Sequence, residues 1–560
     1  MNVPGSNVAR HLRQAALEQP EAVATLSPLS VGPDGKVVHA RCSFRRLDQE
    51  SDAAARVFHA EGITVGTRVL LAVRPGHDLI VTMFGLLKLG AIPVAIDPGM
   101  GWRAFLACVR HTEPEALVGA RAAAWLSRLP TAAFRSLRIR VQVGTTRWRH
   151  LREQCASAEP RPLADVTPDS PAAILFTSGS TGAPKGVDYT HGMFDAQIAL
   201  IRRTYAIQPG EIDMPMLPLF ALFNPALRMT TVTPLLDPSR PAAADPAPIV
   251  AALRAEQVTT SFGSPAIWGR LADHCERRGL GLPSLRRVLI AGAPVPDGLL
   301  EQLRRIAPQA QVHTPYGATE CLPVSTITAG ERLADHVAAA RQGRGTCVGR
   351  AVAGVEFRVI REVAGPIPTL AETTACAPGE VGEIIATGPS VTRAYHRSPA
   401  ATTAAKIADG GRVWHRMGDL GSVGTDGLLR FFGRRAEQVR TADGDLPTEA
   451  VEPAFRAHPD VARCALIGLG TKPPLVPALV VEPRDGAFPA DAREREAFMD
   501  RLRACAQGNP AATRVETFLF QEKLPVDVRH NAKIHRLRLA KEWTARLRAE
   551  RLNPLRQLFR

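Results

Sequence analysis

The chain has 560 residues, too many for one core at roughly 100–200 residues per domain, so several structural units are expected. Hydrophobic residues make up 45% and charged residues 22%, an ordinary globular balance that excludes a wholly disordered or fibrous protein. Basic residues exceed acidic ones by 69 to 54, which invites nucleic acid, but nine of the 69 crowd into residues 530–560. Arginine supplies nearly all of the rest, a bias that needs no ligand, so no nucleic acid is expected.

No apolar run reaches the length of about 18 residues that a membrane-spanning helix needs. The best candidate, residues 79–87, is stopped by Lys88, and residues 1–10 lack a basic-then-apolar signal pattern. Nine cysteines lie no closer together than Cys321 and Cys347, which excludes CxxC zinc or redox motifs. A cytoplasmic location is expected.

In chain order, residues 47–59 and 248–256 show helical apolar spacing. Between such segments lie short aliphatic runs at 68–73, 91–96, 172–176 and 287–290. Apolar strands alternating with helices predict an α/β fold with parallel sheets covered on both faces. Residues 237–246 read as an exposed loop rich in proline and aspartate. After about Glu380 the pattern shifts to short strands with glycine-rich turns, at 382–388 and 424–432, which predicts an antiparallel or barrel-like lobe. A boundary is expected at Gly433–Arg434, separating residues 1–433 from a smaller α+β unit at 434–560.

The most informative segment is Thr177, Ser178, Gly179, Ser180, Thr181, Gly182, Ala183, Pro184, Lys185, Gly186, directly behind an apolar run. Its glycines let backbone N–H groups approach an anion, its hydroxyls add donors, and Lys185 adds a point charge. The combination suits a polyphosphate. It is not the pattern in which GxxxxG is followed by Lys and then Ser or Thr.

This segment resembles the phosphate loop of the adenylate-forming superfamily of acyl-CoA synthetases, peptide-synthetase adenylation domains and luciferases. Further similarities follow in order along most of the chain. Gly292, Ala293 and Pro294 resemble an adenine-binding segment. Tyr316, Gly317, Ala318, Thr319 and Glu320 are similar to a YGxTE motif. Asp419 and Arg434 stand in ribose-binding segments, and Lys533 in a C-terminal catalytic-lysine segment. The resemblance implies a large N-terminal domain of two α/β lobes and a barrel-like lobe, with a small, mobile α+β C-terminal domain.

Each matched residue type suits its implied role. Tyr316 offers a face for adenine. Glu320 is a hard oxygen ligand for Mg2+ on ATP, and Thr319 can donate to a phosphate oxygen. Asp419 can accept from ribose hydroxyls with help from Arg434, and Lys533 can stabilise charge between the carboxylate and the α-phosphate. Only eight of the 69 basic residues are lysine, so lysine at both 185 and 533 points to selection for a compact ammonium.

The acyl site is expected around Phe220, Ala221 and Phe223, with Leu222, Met214, Met216 and Met229, where Ala221 stands in place of a histidine that many relatives carry. Asp213 precedes this segment and is not aligned with the acidic anchor of amino-acid-activating relatives, which favours a fatty-type acid. Thioester-forming relatives carry a hinge aspartate and a Gly-x-Arg turn where this chain has Ala436 and Asp443-Gly444-Asp445. Acidic side chains there oppose polyanionic coenzyme A, which is not expected as a cofactor.

The combination resembles the branch of the superfamily that closes a β-lactone from a long-chain 2-alkyl-3-hydroxy acid in bacterial hydrocarbon biosynthesis. That resemblance implies ATP and Mg2+ as cofactors, a β-hydroxy acid substrate, and other enzymes of the same pathway as partners. The alternatives are a long-chain acyl-CoA synthetase and a non-catalytic adenylate- or lipid-binding scaffold. The basic C-terminal tail, with an imperfect apolar stripe at Ile534, Leu537, Trp543, Leu547 and Leu555, is expected to be a docked last helix. Contact with a membrane or an acidic partner is the alternative.

Overall fold

The computed structural model describes residues 5–32, 37–156, 159–177, 184–237, 243–527 and 533–552. Four larger sheets and one two-stranded ribbon organise them. In the first lobe, strands Arg68–Ala72, Ile92–Ala95, Ala116–Gly119, Ile139–Gln142 and Pro171–Thr177 pair in parallel, and Lys185–Thr190 closes one edge antiparallel to Pro171–Thr177. Alternation along a strand sends neighbouring side chains to opposite faces. Val69 accordingly joins a core with the helices Phe44–Ala60 and His77–Lys88, whereas Leu70 joins another with the helix Trp102–Thr112. Both faces are covered, as the continuous apolar runs predicted.

The second lobe is built on the parallel strands Ile212–Asp213, Thr230–Val232, Thr260–Gly263, Arg287–Ile290 and Gln311–His313, with the hairpin Val23–Val31 and Val37–Ser43 at one edge. The two lobes share one apolar core through helices Arg10–Glu18, Phe44–Ala60 and His77–Lys88, which puts Leu227 and Phe262 in the same core as Phe58 and Phe84. The barrel-like lobe is an antiparallel sheet of eight strands. It starts earlier than the sequence suggests, at Tyr316–Ala318 rather than after Glu380. The reason is local: Tyr316–Ala318 folds back on Cys321–Thr326 in a tight hairpin too short to show periodicity.

Beyond Gly433, the strands Val461–Leu469, Val476–Pro483 and Thr517–Phe520 form a separate three-stranded sheet, with helices Thr448–Arg456 and Ala492–Ala506 on one face. The last helix, Arg536–Leu552, docks on the other face through Leu539, Trp543 and Leu547, next to Ile534. The tail is therefore a docked helix. Leu537 departs from the expected stripe and is exposed, because the contacting face runs through Leu539 and Ala540 instead; Leu555 lies outside the described residues. Among the described residues no helix is long and apolar enough to cross a membrane.

Candidate active site

The segment expected to hold phosphates connects two paired strands. Thr177 is in register with Lys185, so the loop leaves and re-enters the sheet at one point. Ser178, Gly179, Ser180, Thr181 and Gly182 lie outside the described residues. Lys185 sets its ammonium 4.9 Å from the ring centroid of Tyr395, within cation–π reach. The Gly186 carbonyl accepts the His396 N–H at 2.8 Å, which ties the loop's second strand to the segment carrying Tyr395.

Opposite this edge, the motif from Tyr316 to Glu320 sits in the hairpin that opens the antiparallel lobe. Gly317 is required there: a Cβ would sit 2.7 Å from the Cys321 carbonyl oxygen. The Tyr316 hydroxyl donates to Asp419 Oδ2 at 2.6 Å, and Arg434 Nη1 lies 2.9 Å from Asp419 Oδ1. Strand pairing sets this triad, because Asp419 in Arg412–Val423 is in direct register with Arg434 in Leu429–Arg434. Gly433 permits that register. Its φ is 112°, and a Cβ would collide with the Thr448 hydroxyl.

The Arg434 contact is an ion pair without hydrogen-bond alignment, so Asp419 Oδ1 is a buried acceptor with no hydrogen-bond partner among the described residues. An acceptor in that state fits a nucleotide's ribose hydroxyl. Burial raises the Asp419 carboxyl, while the charges of Arg434 and, more weakly, Lys533 act in the opposite sense. Lys533 therefore lies within electrostatic reach of the same carboxylate. Burial likewise drives the Tyr316 phenol well above its usual range, which keeps it a donor.

Glu320 is buried, and its Oε1 accepts from the Tyr395 hydroxyl at 2.7 Å. The Thr319 carbonyl accepts from the Tyr189 hydroxyl, and Gln197 fixes the next turn by donating to the Leu322 carbonyl at 3.2 Å. One hard carboxylate with a hydroxyl-bearing neighbour is a donor set that fits Mg2+, which prefers few protein ligands and keeps phosphate oxygens and water. Gly292, at φ 96°, turns the chain at the end of strand Arg287–Ile290, and Ala293 and Pro294 extend that loop.

Several residues of this region were not singled out from the sequence. Tyr395 bridges Glu320 and Lys185. Lys406 lies 6.0 Å from the same ring and donates to Thr392 Oγ1 at 3.2 Å, and burial lowers its ammonium to about 8. His415 is fully buried; that burial, and secondarily Lys406, pushes it well below its usual range, so it is neutral. The lysine scarcity that singled out Lys185 and Lys533 applied equally to Lys406.

The acyl segment lines an apolar pocket of about 580 Å³, counted with its open mouth. Phe220 and Phe223 both face it, with Phe220 stacked on Phe262 at 3.8 Å. Met229 joins them. Ala221 does not: it is buried and lines a separate, smaller cavity with Met216 and Leu79, because the helical turn Pro218–Phe223 points successive side chains to different sides. Met214 is wholly in the core. Pro315 and Leu322 place the pocket beside the Tyr316–Glu320 motif. Asp213, set aside from the sequence, also lines it.

A family model described as AMP-binding enzyme matches residues 12–396. The chain is 42% identical over 553 residues to the olefin beta-lactone synthetase of Xanthomonas campestris pv. campestris, covering 97% of this chain and 98% of that protein. It is also 42% identical to the olefin beta-lactone synthetase of Stenotrophomonas maltophilia, covering 96% of this chain and 98% of that one. Among solved structures, ATP-bound MatB from Rhodopseudomonas palustris superposes with a TM-score of 0.77 at 19% identity, over 97% of this chain and 99% of that chain, a likeness of fold. Matched over residues 12–396 by the family model and nearly end to end by relatives at 42% identity, the chain belongs to the AMP-binding enzyme family.

Proposed function

We propose that the protein is an ATP-dependent, AMP-forming ligase that activates a long-chain 2-alkyl-3-hydroxy acid and closes it to a β-lactone. The observation that carries the reading is the assembly of Tyr316, Asp419 and Arg434 around an unsatisfied carboxylate oxygen, within electrostatic reach of Lys533 and beside an apolar pocket. In this reading Tyr316 and the loop at Gly292, Ala293 and Pro294 hold adenine, and Asp419 and Arg434 hold the ribose. Thr177 to Gly182 and Lys185 hold the phosphates. Mg2+ bound through Glu320 would offset the negative charge of those phosphates.

The substrate carboxylate attacks the α-phosphorus, the α–β bridging bond breaks, and pyrophosphate leaves. Lys533 stabilises the charge that gathers between carboxylate and phosphate. The 3-hydroxyl oxygen then attacks the activated carbonyl, the bond to AMP breaks, and the hydroxyl proton passes to solvent. Tethering two carbons from the carbonyl replaces an external nucleophile by proximity. The two units, residues 1–433 and 434–560, would meet over this site, with Lys533 supplied by the smaller one.

Departures at the coenzyme A side support the same reading. Asp443 and Asp445 are exposed on the ribbon of Val439–Thr441 and Gly444–Leu446, where Arg514 donates to the Gly444 carbonyl at 2.8 Å. An anionic cofactor would meet two carboxylates there. The exposed face of the last helix, with Arg538, Lys541 and Arg548, offers a surface for an acidic partner or an anionic membrane. The test is product analysis by NMR after incubation with ATP, Mg2+ and a 2-alkyl-3-hydroxy acid, with and without coenzyme A. The expected result is a β-lactone and AMP in both. A 3-deoxy acid should stall as bound acyl-adenylate. Thioester formation from a simple fatty acid would instead establish an acyl-CoA synthetase.

A further inference from the structure

Four large apolar side chains stand exposed over one face of the first lobe: Trp102, at 48%, Trp125, at 64%, Leu126 and Leu129. Trp102 opens the helix Trp102–Thr112, stacks on Phe105 at 5.7 Å and lies 6.4 Å from Phe134. Trp125 and Leu126 end the short helix Arg121–Leu126. Its winding runs on, because the Arg128 N–H donates to the Trp125 carbonyl at 3.0 Å and the Leu129 N–H to the Leu126 carbonyl at 3.1 Å. Ala124 of this segment shares a core with Phe134, Cys108 and Val109, so both pieces cover the same side of the sheet. Single exposed apolar residues are ordinary, whereas a group of them rimmed by charge marks an interaction surface.

The rim is of one sign. Arg121, Trp125, Arg128 and Leu129 follow one another at i, i+4, i+7 and i+8, a single stripe of the helix, while Ala124 and Ser127 turn inward. Arg103 follows Trp102 and Arg135 follows Phe134. All four arginines are exposed and have no ion-pair partner among the described residues. The only acids between residues 98 and 138 are Glu113 and Glu115, which are engaged by Arg397 and Arg68.

An indole ring has an apolar body and one N–H, so it settles at the headgroup level of a bilayer, where arginines meet lipid phosphates. A protein partner fits less well, because protein interfaces clear charge from their centre and here arginines stand beside both tryptophans. A single-stranded nucleic acid would stack on the rings, yet it would gain nothing from Leu126 and Leu129, which have no face for a base. We propose that this face of the first lobe docks on an anionic lipid surface. The two tryptophans and two leucines enter the headgroup layer, and Arg103, Arg121, Arg128 and Arg135 meet the phosphates. The face shares no residue with the ATP site or the last helix, so the proposal holds whichever acid the enzyme activates. Docking there would bring the protein to the phase in which a long-chain acid dissolves.

The experiment mixes the full-length protein with vesicles of phosphatidylcholine and phosphatidylglycerol brominated near the headgroup, and with brominated phosphatidylcholine vesicles alone. Trp148, Trp268, Trp414 and Trp543 are buried, so quenching by bromine reads Trp102 and Trp125. Wild-type emission is expected to shift to the blue and to be quenched by the anionic vesicles, less as salt rises, and little by the neutral ones. Trp125→Gln should remove a large part of the quenching. Arg128→Gln should weaken vesicle affinity about fivefold, the loss of one arginine at an anionic surface. Both side chains are exposed, so these results stand even where Trp102→Gln fails to fold. Association with anionic vesicles without quenching would place the lipid on another face, such as the last helix, and overturn the proposal. Equal quenching by neutral and anionic vesicles would also overturn it, since the arginines would then play no part. Protection of the two tryptophans by a second copy of the chain or by a single-stranded oligonucleotide, with no response to vesicles, would assign the face to that partner instead.

Discussion

Lys533→Ala separates chemistry from binding. The lysine's charge reaches Asp419, yet the triad that would hold ATP closes without it, through the 2.6 Å Tyr316–Asp419 hydrogen bond and the 2.9 Å Asp419–Arg434 ion pair. The local backbone is also independent of the side chain, because the Lys533 carbonyl accepts the Asp527 N–H at 2.9 Å and Ile534 bridges to Val526. Truncation should therefore leave fold and ATP affinity intact and remove one preorganised donor to the transition state. Such a loss is worth about 2.7–4 kcal/mol, or about 10²–10³-fold in adenylation rate. ATP–pyrophosphate exchange measures the rate, and calorimetry with ATP measures the binding. Lys533→Arg should be almost as poor, since a planar guanidinium does not replace a compact ammonium. Exchange near the wild-type rate in Lys533→Ala would refute the assignment; lost ATP binding would make the lysine a nucleotide ligand instead.

Arg536 fixes the chain three residues after Lys533, with Nε and Nη2 on Glu452 at 2.8 and 2.7 Å and Nη1 on Glu437 at 3.1 Å. Arg536→Met should destabilise the protein by about 3–5 kcal/mol in urea titration, because it takes the nearest cation from two buried carboxylates and leaves Glu452 only Arg456 at 3.8 Å and the Leu466 N–H at 2.9 Å; unchanged stability would contradict that account. Burial pushes Asp213 up to about 7, from an ordinary 3.8, so the folded state binds its proton more tightly than the unfolded chain. The stability this provides is complete below about pH 4 and is lost as pH rises through about 7, by at most about 4 kcal/mol. Asp213→Asn should thus gain on wild type between pH 5 and about pH 8 in parallel urea titrations, and equal pH dependences would contradict it. Arg538→Gln, Lys541→Gln and Arg548→Gln together should weaken salt-sensitive association with anionic vesicles while leaving pyrophosphate exchange intact; unchanged association at low salt would leave the last helix its docking role alone.

The sequence by itself determined which short segments are candidates for local chemistry. The segment from Thr177 to Lys185, the motif from Tyr316 to Glu320, Asp419, Arg434 and Lys533 each carry residue types that suit an anion, a ring, a ribose or a reacting carboxylate. The alternation of apolar runs with helical spacing likewise specified two-sided parallel sheets, because burial on both faces needs continuous apolar strands. Lysine scarcity was informative yet not sufficient. Lys88, equally rare, is buried between Asp48 at 2.6 Å and Asp52 at 2.8 Å as a link between helices, not as a site residue. Only the tertiary structure separated Lys88, held inside the fold by two carboxylates, from Lys185 beside Tyr395. It alone placed Tyr395 between Glu320 and Lys185, turned Ala221 away from the pocket that Phe220 and Phe223 line, and set Asp213 in that pocket's wall. Those outcomes depend on which strands become neighbours and in what register, and register is fixed by packing across three sheets far apart in the chain.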